Sequence, residues 1–224
     1  MKTHTATVKK VVRVGKDIAI IYFTVPGFTY AAGQYITVFF DGASRPEGKA
    51  YSLSSAPHQP LQSITVKRVG EFSGRLCSLA PGDTFTCSPA YGHFNPAVTA
   101  PLVCIAAGVG IAPVWSVIKS ELRSNSERDI TLVYTVTNTA AMPHRHSIAR
   151  QAAEYANFTA RQHITRQVIV PADAQKERIS VSKCLRPGAV YLLCGSVTFV
   201  RDMWQGLTGR GVAPEAISTE VFFE

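Results

Sequence analysis

Two glycines and a proline form the first group of residues that could do chemistry. Gly108-Val109-Gly110-Ile111-Ala112-Pro113 follows an apolar run and precedes a segment with helical spacing. Glycines let the backbone approach a ligand closely, and a helix start offers free N–H groups and the positive end of the helix dipole. The combination predicts a turn that binds a pyrophosphate, although a tight strand-to-helix turn without a ligand fits the same residues.

Two earlier segments carry groups that suit a flat, phosphorylated ligand. Lys49-Ala50-Tyr51-Ser52 places a cation, an aromatic ring and a hydroxyl group on one short strand. Val69–Leu76 contains Gly70, Ser73 and Arg75, and could hold a phosphate on its N–H groups. Taken alone, the first segment is more typical of an edge strand with a half-buried tyrosine. The second is equally typical of a loop that leads into a short helix.

Two C-terminal segments complete the candidate chemistry. Cys194-Gly195 closes a strand-like run, and Glu220-Val221-Phe222 closes the chain. In an open parallel sheet the carboxyl ends of strands line the ligand crevice, so a thiol and an acid there could touch a ligand. A lone cysteine is otherwise most often a core residue, and the last segment also fits a terminal strand with alternating faces.

The elements that must position these residues differ between the two parts of the chain. Up to about Ala100 the sequence predicts six short strands separated by turn residues, a spacing typical of a small antiparallel barrel. A connector at Pro96–Pro101 then predicts two domains, residues 1–98 and residues 99–224. The strands are predicted at Thr5–Val14, Asp17–Thr24, Gln34–Phe40, Ala50–Ser54, Ile64–Val69 and Thr84–Ser88.

After the connector, strands and helices alternate, which predicts an α/β domain with a doubly wound parallel sheet and helices on both faces. Pro113 fits a first helical turn, and Thr198 is predicted as a helix N-cap. Strands are predicted at Leu102–Ala107, Ile130–Val136, Ile164–Val170, Val190–Cys194 and Ile217–Phe223, and helices at Pro113–Ser126, His146–Asn157 and Thr198–Leu207.

Composition limits the classes of protein that fit. The chain has 224 residues and a formal net charge of +8, which suits an anionic cofactor or an acidic partner. Five cysteines without a CxxC pair argue against a zinc ribbon, an iron–sulfur centre or a dithiol, and favour buried thiols in the cytoplasm. No signal peptide is evident, and the apolar stretch Pro101–Ile118 is interrupted by glycine and proline, so we expect no membrane span.

The order of these motifs resembles the ferredoxin–NADP reductase superfamily of flavoproteins, without an iron–sulfur domain. Tyr51-Ser52 is similar to the family's Arg-x-Tyr-Ser element. The resemblance covers nearly the whole chain and implies a flavin-binding barrel followed by a nicotinamide-nucleotide domain. It continues through Gly70-x-x-Ser73, Pro81-Gly82-Asp83, Gly108-x-Gly110-x-x-Pro113, Cys194-Gly195 and Glu220-Val221-Phe222.

The resemblance also implies roles for individual residues. Ser52 would lie near the flavin N5, and Cys194 and Glu220 would join it around the hydride path as catalytic residues. Phe222 would shield the other face of the flavin, although Phe223 and Glu224 follow it. Lys49 replaces the family's arginine and so lacks its bidentate grip on phosphate. The flavin, expected to be FAD, would contact Lys49, Ala50, Tyr51, Ser52, Lys67, Val69, Gly70, Phe72, Ser73 and Gly74.

The nucleotide is expected to be NADPH. Thr165-Arg166, in the third strand-like run of the second part, resembles the Ser/Thr-Arg pair that NADP-specific members use on the 2′-phosphate, and Arg178 resembles a second basic contact. Two solvated arginines on a basic protein are the alternative. Gly108, Gly110 and Pro113 would shape the pyrophosphate loop, and Cys194 and Gly195 would lie against the nicotinamide.

Three functions remain open from the sequence. The first is an NADPH-dependent flavoprotein that passes single electrons to an acidic ferredoxin or flavodoxin, or to an oxygenase component. The second is a reductase of free flavin, which Lys49 favours, and the third is a non-enzymatic subunit with a degenerate flavin fold. We expect a monomer that binds no nucleic acid, because the basic residues are scattered. His144 and His146 are not expected to bind a metal, and His93 is not expected to act as a base.

Overall fold

The computed structural model describes residues 2–42, 45–95, 98–124 and 127–222, and these fold into two sheets of six strands each. The first sheet is antiparallel and the second is parallel. Residues 96 and 97 of the predicted connector lie outside the described residues, so the division at residue 98 stays a prediction.

The first sheet is a barrel with strand order β4-β3-β6-β1-β2-β5. An isolated bridge between Leu53 and Ile64 links the two end strands, which closes the barrel as the sequence predicted. Its buried side chains come from alternate strand positions, such as Ile36 and Val38, because successive residues of a strand point to opposite faces. The elements are β1 (His4–Val14), β2 (Ile18–Thr24), β3 (Tyr35–Phe39), β4 (Lys49–Ser52), β5 (Gln62–Lys67), α1 (Glu71–Ser78) and β6 (Thr84–Cys87).

The second sheet has strand order β10-β9-β8-β7-β11-β12, and each pair of neighbouring strands in it is parallel. This order places β7 at the centre, with the glycine-rich turn at its carboxyl end. The elements are β7 (Leu102–Ala107), α2 (Ile111–Arg123), β8 (Ile130–Val136), α3 (Arg145–Glu154), β9 (Phe158–Ile164), β10 (Ala174–Gln175), β11 (Val190–Ser196), α4 (Val197–Thr208) and β12 (Ile217–Phe222).

Both faces of the parallel sheet are covered, as the alternation of strands and helices predicted. On β7, Cys104 and Ala106 pack into the core beneath α2 and α3, whereas Val103 and Ile105 pack into the core beneath α4. Because both faces are buried, the strand is apolar at every position rather than at every second one.

The structure corrects two details of the sequence prediction. The third strand of this domain is Phe158–Ile164 and not Ile164–Val170, whose Val168 and Ile169 are 81% exposed. The sequence pattern did not reveal the true strand because several of its residues are polar. Polar residues are tolerated there because its neighbour on one side is the two-residue strand β10. The N-cap of α4 is Ser196 rather than Thr198, since the Ser196 Oγ accepts a hydrogen bond from the Phe199 N–H.

Other boundaries of the prediction shift by a few residues. The helix predicted at His146–Asn157 ends at Glu154, and the strand predicted at Val190–Cys194 continues to Ser196. Ser126 and Phe223, which the sequence placed at the ends of two elements, lie outside the described residues.

The two domains meet along one side of α2. The Ser116 Oγ donates a hydrogen bond to the carbonyl of Ser55 in the first domain, and the Lys119 Nζ donates one to the Gln59 Oε1 at 2.6 Å. Phe94 of the first domain packs into the core of the second. These contacts fix the barrel against the sheet and thereby set the width of the cleft between them.

No helix within the described ranges is both long and apolar enough to cross a membrane.

Candidate functional site

A large cavity separates the barrel from the carboxyl edge of the parallel sheet. Its volume is about 1520 Å³. Typical small-molecule pockets measure about 300–1,000 Å³, so this cavity has room for more than one ligand of that size. We call its first-domain side, formed by β3, β4 and β5, the barrel wall, and its second-domain side, formed by the strand ends of the parallel sheet, the sheet wall.

The barrel wall carries the residues of the Lys49–Ser52 segment. Strand β4 pairs with β3, with Ser52 opposite Tyr35 and Tyr51 opposite Ile36, and all four residues of β4 line the cavity. The Tyr51 ring packs against Phe72 with the ring centroids 6.4 Å apart and an angle of 17° between the planes. Burial raises the pKa of the Tyr51 hydroxyl above its ordinary value, so the ring stays neutral.

The segment that follows β5 is already hydrogen-bonded to itself. The Ser73 Oγ accepts hydrogen bonds from the N–H groups of Val69 and Gly70, at 2.9 Å and 3.1 Å. Val69, Ser73 and the neighbouring Lys67 line the cavity. These two N–H groups could contact a phosphate only if the phosphate replaced the serine, so in the structure the turn is held by Ser73.

Three residues predicted for the flavin site lie away from the cavity lining, namely Gly70, Phe72 and Gly74. Phe72 packs behind Tyr51, and a methyl group placed on either glycine would meet open space. The sequence alone could not show whether Phe72 lines the cavity or packs against Tyr51, which does line it. Phe72 therefore supports Tyr51 from behind instead of lining the cavity.

One part of the sheet wall is a glycine-rich turn. Gly108, Val109 and Gly110 line the cavity in a 3-10 turn between β7 and α2. A methyl group on Gly110 would lie 2.5 Å from the Cys194 carbonyl oxygen, so a residue without a side chain is required there. Pro113 is buried in the first turn of α2 and is not part of the lining.

Gly195 brings a second close approach on the same wall. A methyl group there would lie 2.7 Å from the ring of Phe199 and 3.0 Å from the Cβ of Ala107. Gly195 and Phe199 both line the cavity. The sheet wall therefore has its shape because two neighbouring glycines allow elements to touch.

Three side chains from distant parts of the chain meet where the two walls join. The Ser52 hydroxyl donates a hydrogen bond to the Glu220 carboxylate, across the domain boundary. Glu220 is the register partner of Cys194 on the adjacent parallel strand. Burial raises the pKa of the Glu220 carboxyl above its ordinary value, and it raises the pKa of the Cys194 thiol strongly.

Cys194 differs from the other two because it is fully buried. Its side chain is 0% exposed and does not line the cavity, whereas Ser52 and Glu220 do. All five cysteines are buried free thiols, as the sequence predicted. The structure thus brings Ser52, Glu220 and Cys194 together but leaves the thiol beneath the surface of the cavity.

The remaining predicted residues line the far part of the cavity. Thr165 and Arg166 follow directly after β9, and Arg178 lies in the segment after β10. Phe222 lines the cavity at the end of β12. The two arginines place positive charge on the sheet wall. Arg166 lies at the carboxyl edge because β9 ends at Ile164, whereas the strand predicted at Ile164–Val170 would have placed it near the start of a strand.

Several lining residues were missed by the sequence analysis. Arg45 precedes Lys49 by four residues and adds a cation to the barrel wall, and Thr135 and Thr137 lie at the carboxyl end of β8. The rule that strand ends line a crevice could have found the threonines. Phe199 and Asp202 carry no local signal, because only the position of α4 brings them to the cavity.

The histidines considered from the sequence have separate environments. His93 lines the cavity, while His144 accepts or donates a hydrogen bond with the Thr65 Oγ1 at 2.9 Å between the domains. Burial lowers the pKa of His144 to about 3, so its ring is neutral. Within the described part of the chain, no cluster of three or more His, Cys, Asp or Glu side chains is placed to hold a metal ion.

The size and the lining of the cavity fit two flat, anionic cofactors. Cations line both of its walls, namely Arg45, Lys49 and Lys67 on one and Arg166 and Arg178 on the other. An aromatic ring and a hydroxyl group, those of Tyr51 and Ser52, share β4 with Lys49. Diphosphates need the cations, and planar rings need the aromatic surface and a restricted number of polar contacts.

Comparison with known proteins agrees with this geometry. Residues 104–205 match the family model of the oxidoreductase NAD-binding domain. The chain is 27% identical over 234 residues to reductase component 1 of terephthalate 1,2-dioxygenase from Comamonas sp, covering 99% of this chain and 68% of that protein. It is 29% identical over 231 residues to a flavohemoprotein of Bacillus subtilis, covering 94% of this chain and 57% of that protein.

Solved structures show the same fold over the whole chain. A ferredoxin NADP+ reductase from Neisseria gonorrhoeae, solved with bound FAD and NADP, superimposes with a TM-score of 0.85 at 22% identity and full coverage of both chains. The FAD/NAD-binding domain of nitric oxide dioxygenase from Vibrio cholerae superimposes with a TM-score of 0.88 at 22% identity, with 98% of each chain covered. The chain therefore spans complete reductase domains of some relatives and only part of others.

Proposed function

We propose that this chain, whose residues 104–205 match the oxidoreductase NAD-binding domain, is a reductase of the ferredoxin–NADP reductase superfamily that oxidises NADPH with FAD as its flavin and passes electrons to a carrier protein. The observation that carries the proposal is the two-walled cavity with Ser52 and Glu220 joined across it. A bound flavin supplies the chemistry by accepting a hydride and releasing electrons one at a time.

The residues of the barrel wall have binding and orienting roles in this proposal. Tyr51, held from behind by Phe72, offers a flat surface for one ring. Lys49 and Lys67 place positive charge for the flavin phosphates, and Arg45 adds a guanidinium beside them. Because the domains are packed together along α2, the two walls are held in place, and a ring bound between them would be confined.

Ser52 and Glu220 have a proton-holding role. The Ser52 hydroxyl is a donor, and in the structure its proton points to the Glu220 carboxylate. The raised pKa of Glu220 means that this carboxyl group holds a proton more readily than an exposed glutamate. The pair could therefore offer a hydrogen-bond donor to a polar ring atom of a flavin bound at this wall.

The preference for NADPH rests on Arg166 and Arg178. Both line the cavity on the sheet wall, and Thr165 precedes the first of them. A guanidinium group matches the geometry of a phosphate, which NADPH carries on its adenosine ribose and NADH lacks. The same wall presents the Gly108–Gly110 turn, whose close backbone suits the shared pyrophosphate.

The acceptor proposed is an acidic ferredoxin, a flavodoxin or an oxygenase component. The formal net charge of +8 favours association with an acidic protein by electrostatic steering. Val69 and Lys67 both line the cavity, and Val69 is 52% exposed. Among the relatives, the protein from Comamonas is the reductase component of a dioxygenase.

The test is an absorption spectrum of the purified protein, followed by anaerobic titration with NADPH and with NADH. We expect a flavin spectrum that bleaches at a lower concentration of NADPH than of NADH. A protein that stays colourless after incubation with FAD would contradict the proposal and favour the third function, that of a subunit without enzymatic activity. Electron transfer to an acidic ferredoxin should weaken as the salt concentration rises.

A reductase of free flavin is the second candidate, and Lys49 favours it. A lysine ammonium group binds phosphate as a point charge, whereas an arginine guanidinium group can form two parallel hydrogen bonds to it. The lysine therefore retains the flavin less tightly. Activity that increases in proportion to added flavin, after the bound flavin is saturated, would favour this candidate over transfer to a protein.

A further inference from the structure

The Gly108–Gly110 turn is held from both neighbouring strands. Strand β7 lies between β8 and β11, so the turn at its end has one neighbour on each side. On the β11 side, the turn rests on the backbone of Cys194 and Gly195, which a methyl group on Gly110 would strike. On the β8 side, the Tyr134 hydroxyl donates a hydrogen bond to the Gly108 carbonyl oxygen at 2.8 Å.

The Tyr134 contact is unusual for its surroundings. The residue is 0% exposed and its ring belongs to the core beneath α2 and α3. A buried hydroxyl group is costly without a partner, and here it has one in the turn. Gly108 adopts a positive φ of 55°, a conformation that glycine reaches without strain but that needs support to remain fixed.

The Gly108 carbonyl has a second hydrogen-bond partner, so the effect of the tyrosine on the position of the turn can be tested without unfolding the start of the helix. It also accepts a hydrogen bond from the Ile111 N–H at the start of α2. Loss of the tyrosine hydroxyl would therefore leave the carbonyl paired and the helix start formed. The turn would lose its tie to β8, and its freedom to move would increase.

We propose that Tyr134 is a positioning residue that fixes the Gly108–Gly110 turn in the conformation that binds the nucleotide pyrophosphate. The inference rests on the proposed function, because it assigns the turn to that ligand. Tyr134 acts through the turn and does not line the cavity itself. A turn that is already fixed binds its ligand without the cost of ordering, so the hydroxyl contributes to affinity and not to the reaction.

The experiment compares Tyr134→Phe with Tyr191→Phe. Tyr191 is a matched control because it is also buried in a strand of the same sheet, and its hydroxyl accepts a hydrogen bond from the Arg186 N–H at 3.0 Å, away from the cavity lining. Three quantities are measured for each protein: the KM and kcat for NADPH, the Kd for NADP+ by calorimetry, and hydrogen exchange of the peptide that contains Val109–Ile111.

We expect Tyr134→Phe to raise the KM and the Kd by about three- to tenfold, the effect of one net hydrogen bond, with kcat within about twofold of wild type. Exchange of the Val109–Ile111 amides should accelerate in this variant. Tyr191→Phe should change the melting temperature by a similar amount but leave the Kd and the exchange of that peptide unchanged.

Two outcomes would overturn the inference. An unchanged Kd in Tyr134→Phe, with wild type binding normally, would show that the hydroxyl does not position the turn. A Kd that changes equally in both variants would indicate a general loss of stability. If wild type does not bind NADP+, the proposed function is wrong, and the exchange of Val109–Ile111 then decides alone whether Tyr134 holds the turn.

Discussion

The two walls of the cavity are built by different means. The barrel wall presents side chains from inside a strand, since Lys49, Tyr51 and Ser52 all lie on β4. The sheet wall depends in part on close backbone packing at the ends of strands, where Gly110 and Gly195 allow elements to touch. The difference implies opposite sensitivities: the barrel wall is damaged when a functional group is removed, and the sheet wall is damaged when an atom is added.

Gly110→Ala gives the largest effect that this comparison predicts. The new methyl group would meet the Cys194 carbonyl oxygen at 2.5 Å, and backbone cannot move aside as a flexible side chain can. We expect the KM for NADPH to rise by about a hundredfold or more, because small displacements of a binding element are costly. The flavin content should stay near that of wild type. Steady-state kinetics measures the KM, and the flavin-to-protein ratio measures the flavin content. If nucleotide affinity and flavin content fell equally, the distinction between the two walls would be wrong.

Ser52→Ala removes a functional group from the barrel wall. The hydroxyl that donates to Glu220 is lost, so the hydride rate should fall by about ten- to a hundredfold while flavin binding changes less. Ser54→Ala is the control, since Ser54 is also buried and hydrogen-bonded, to the Ser63 Oγ at 2.8 Å, but is absent from the cavity lining. Stopped-flow reduction of Ser52→Ala at the wild-type rate would remove Ser52 from the chemistry.

Arg166→Ala tests whether the sheet wall also depends on one side chain. Loss of the guanidinium should raise the KM for NADPH by about tenfold and leave the KM for NADH unchanged, because only NADPH carries the extra phosphate. Arg150→Ala lowers the net charge equally from an exposed position on α3. If Arg166→Ala changes the KM for NADPH and the KM for NADH by the same factor, the arginine does not select between the two nucleotides.

Lys119→Met gives the smallest effect and addresses the boundary between the domains. Burial lowers the pKa of Lys119 to about 7 in the folded protein, whereas in the unfolded chain it lies near 10.5. Between these values the unfolded state binds more protons, so this residue makes the protein more stable as the pH rises from about 7 to 10. Below pH 7 the ammonium group is charged in both states, and the full cost of burying it remains.

Lys119→Met should therefore be more stable than wild type at pH 7, by on the order of 1 to 3 kcal/mol in the free energy of unfolding. This difference should shrink as the pH approaches 10. Denaturant unfolding at several pH values measures the difference. Lys16→Met, at an exposed turn position, is the control for the loss of one positive charge. A constant difference between wild type and Lys119→Met across this range would mean that the amine is not desolvated in the fold.

Local pattern was enough to predict most of the strands. Leu102–Ala107 and Ile130–Val136 were predicted with the boundaries that the structure has, because buried parallel strands are continuous apolar runs. The strand Phe158–Ile164 was missed because its polar residues obscure the apolar pattern. The strand predicted around Val168-Ile169 was wrong because the sequence does not show whether an apolar side chain is exposed or buried. The α4 cap was misplaced by two residues for a similar reason, as serine and threonine both cap helices.

The amino-acid sequence by itself determined which groups the site contains, since the motifs from Lys49 to Phe222 specify their chemistry and their order. Only the tertiary structure decided which of them line the cavity. It joined Ser52 to Glu220, 168 residues away, placed Phe72 behind Tyr51, and buried Cys194 beneath the wall that the sequence expected it to line. The physical reason is that the type of each side chain is a local property of the sequence, whereas burial and contact depend on how the two sheets pack against each other.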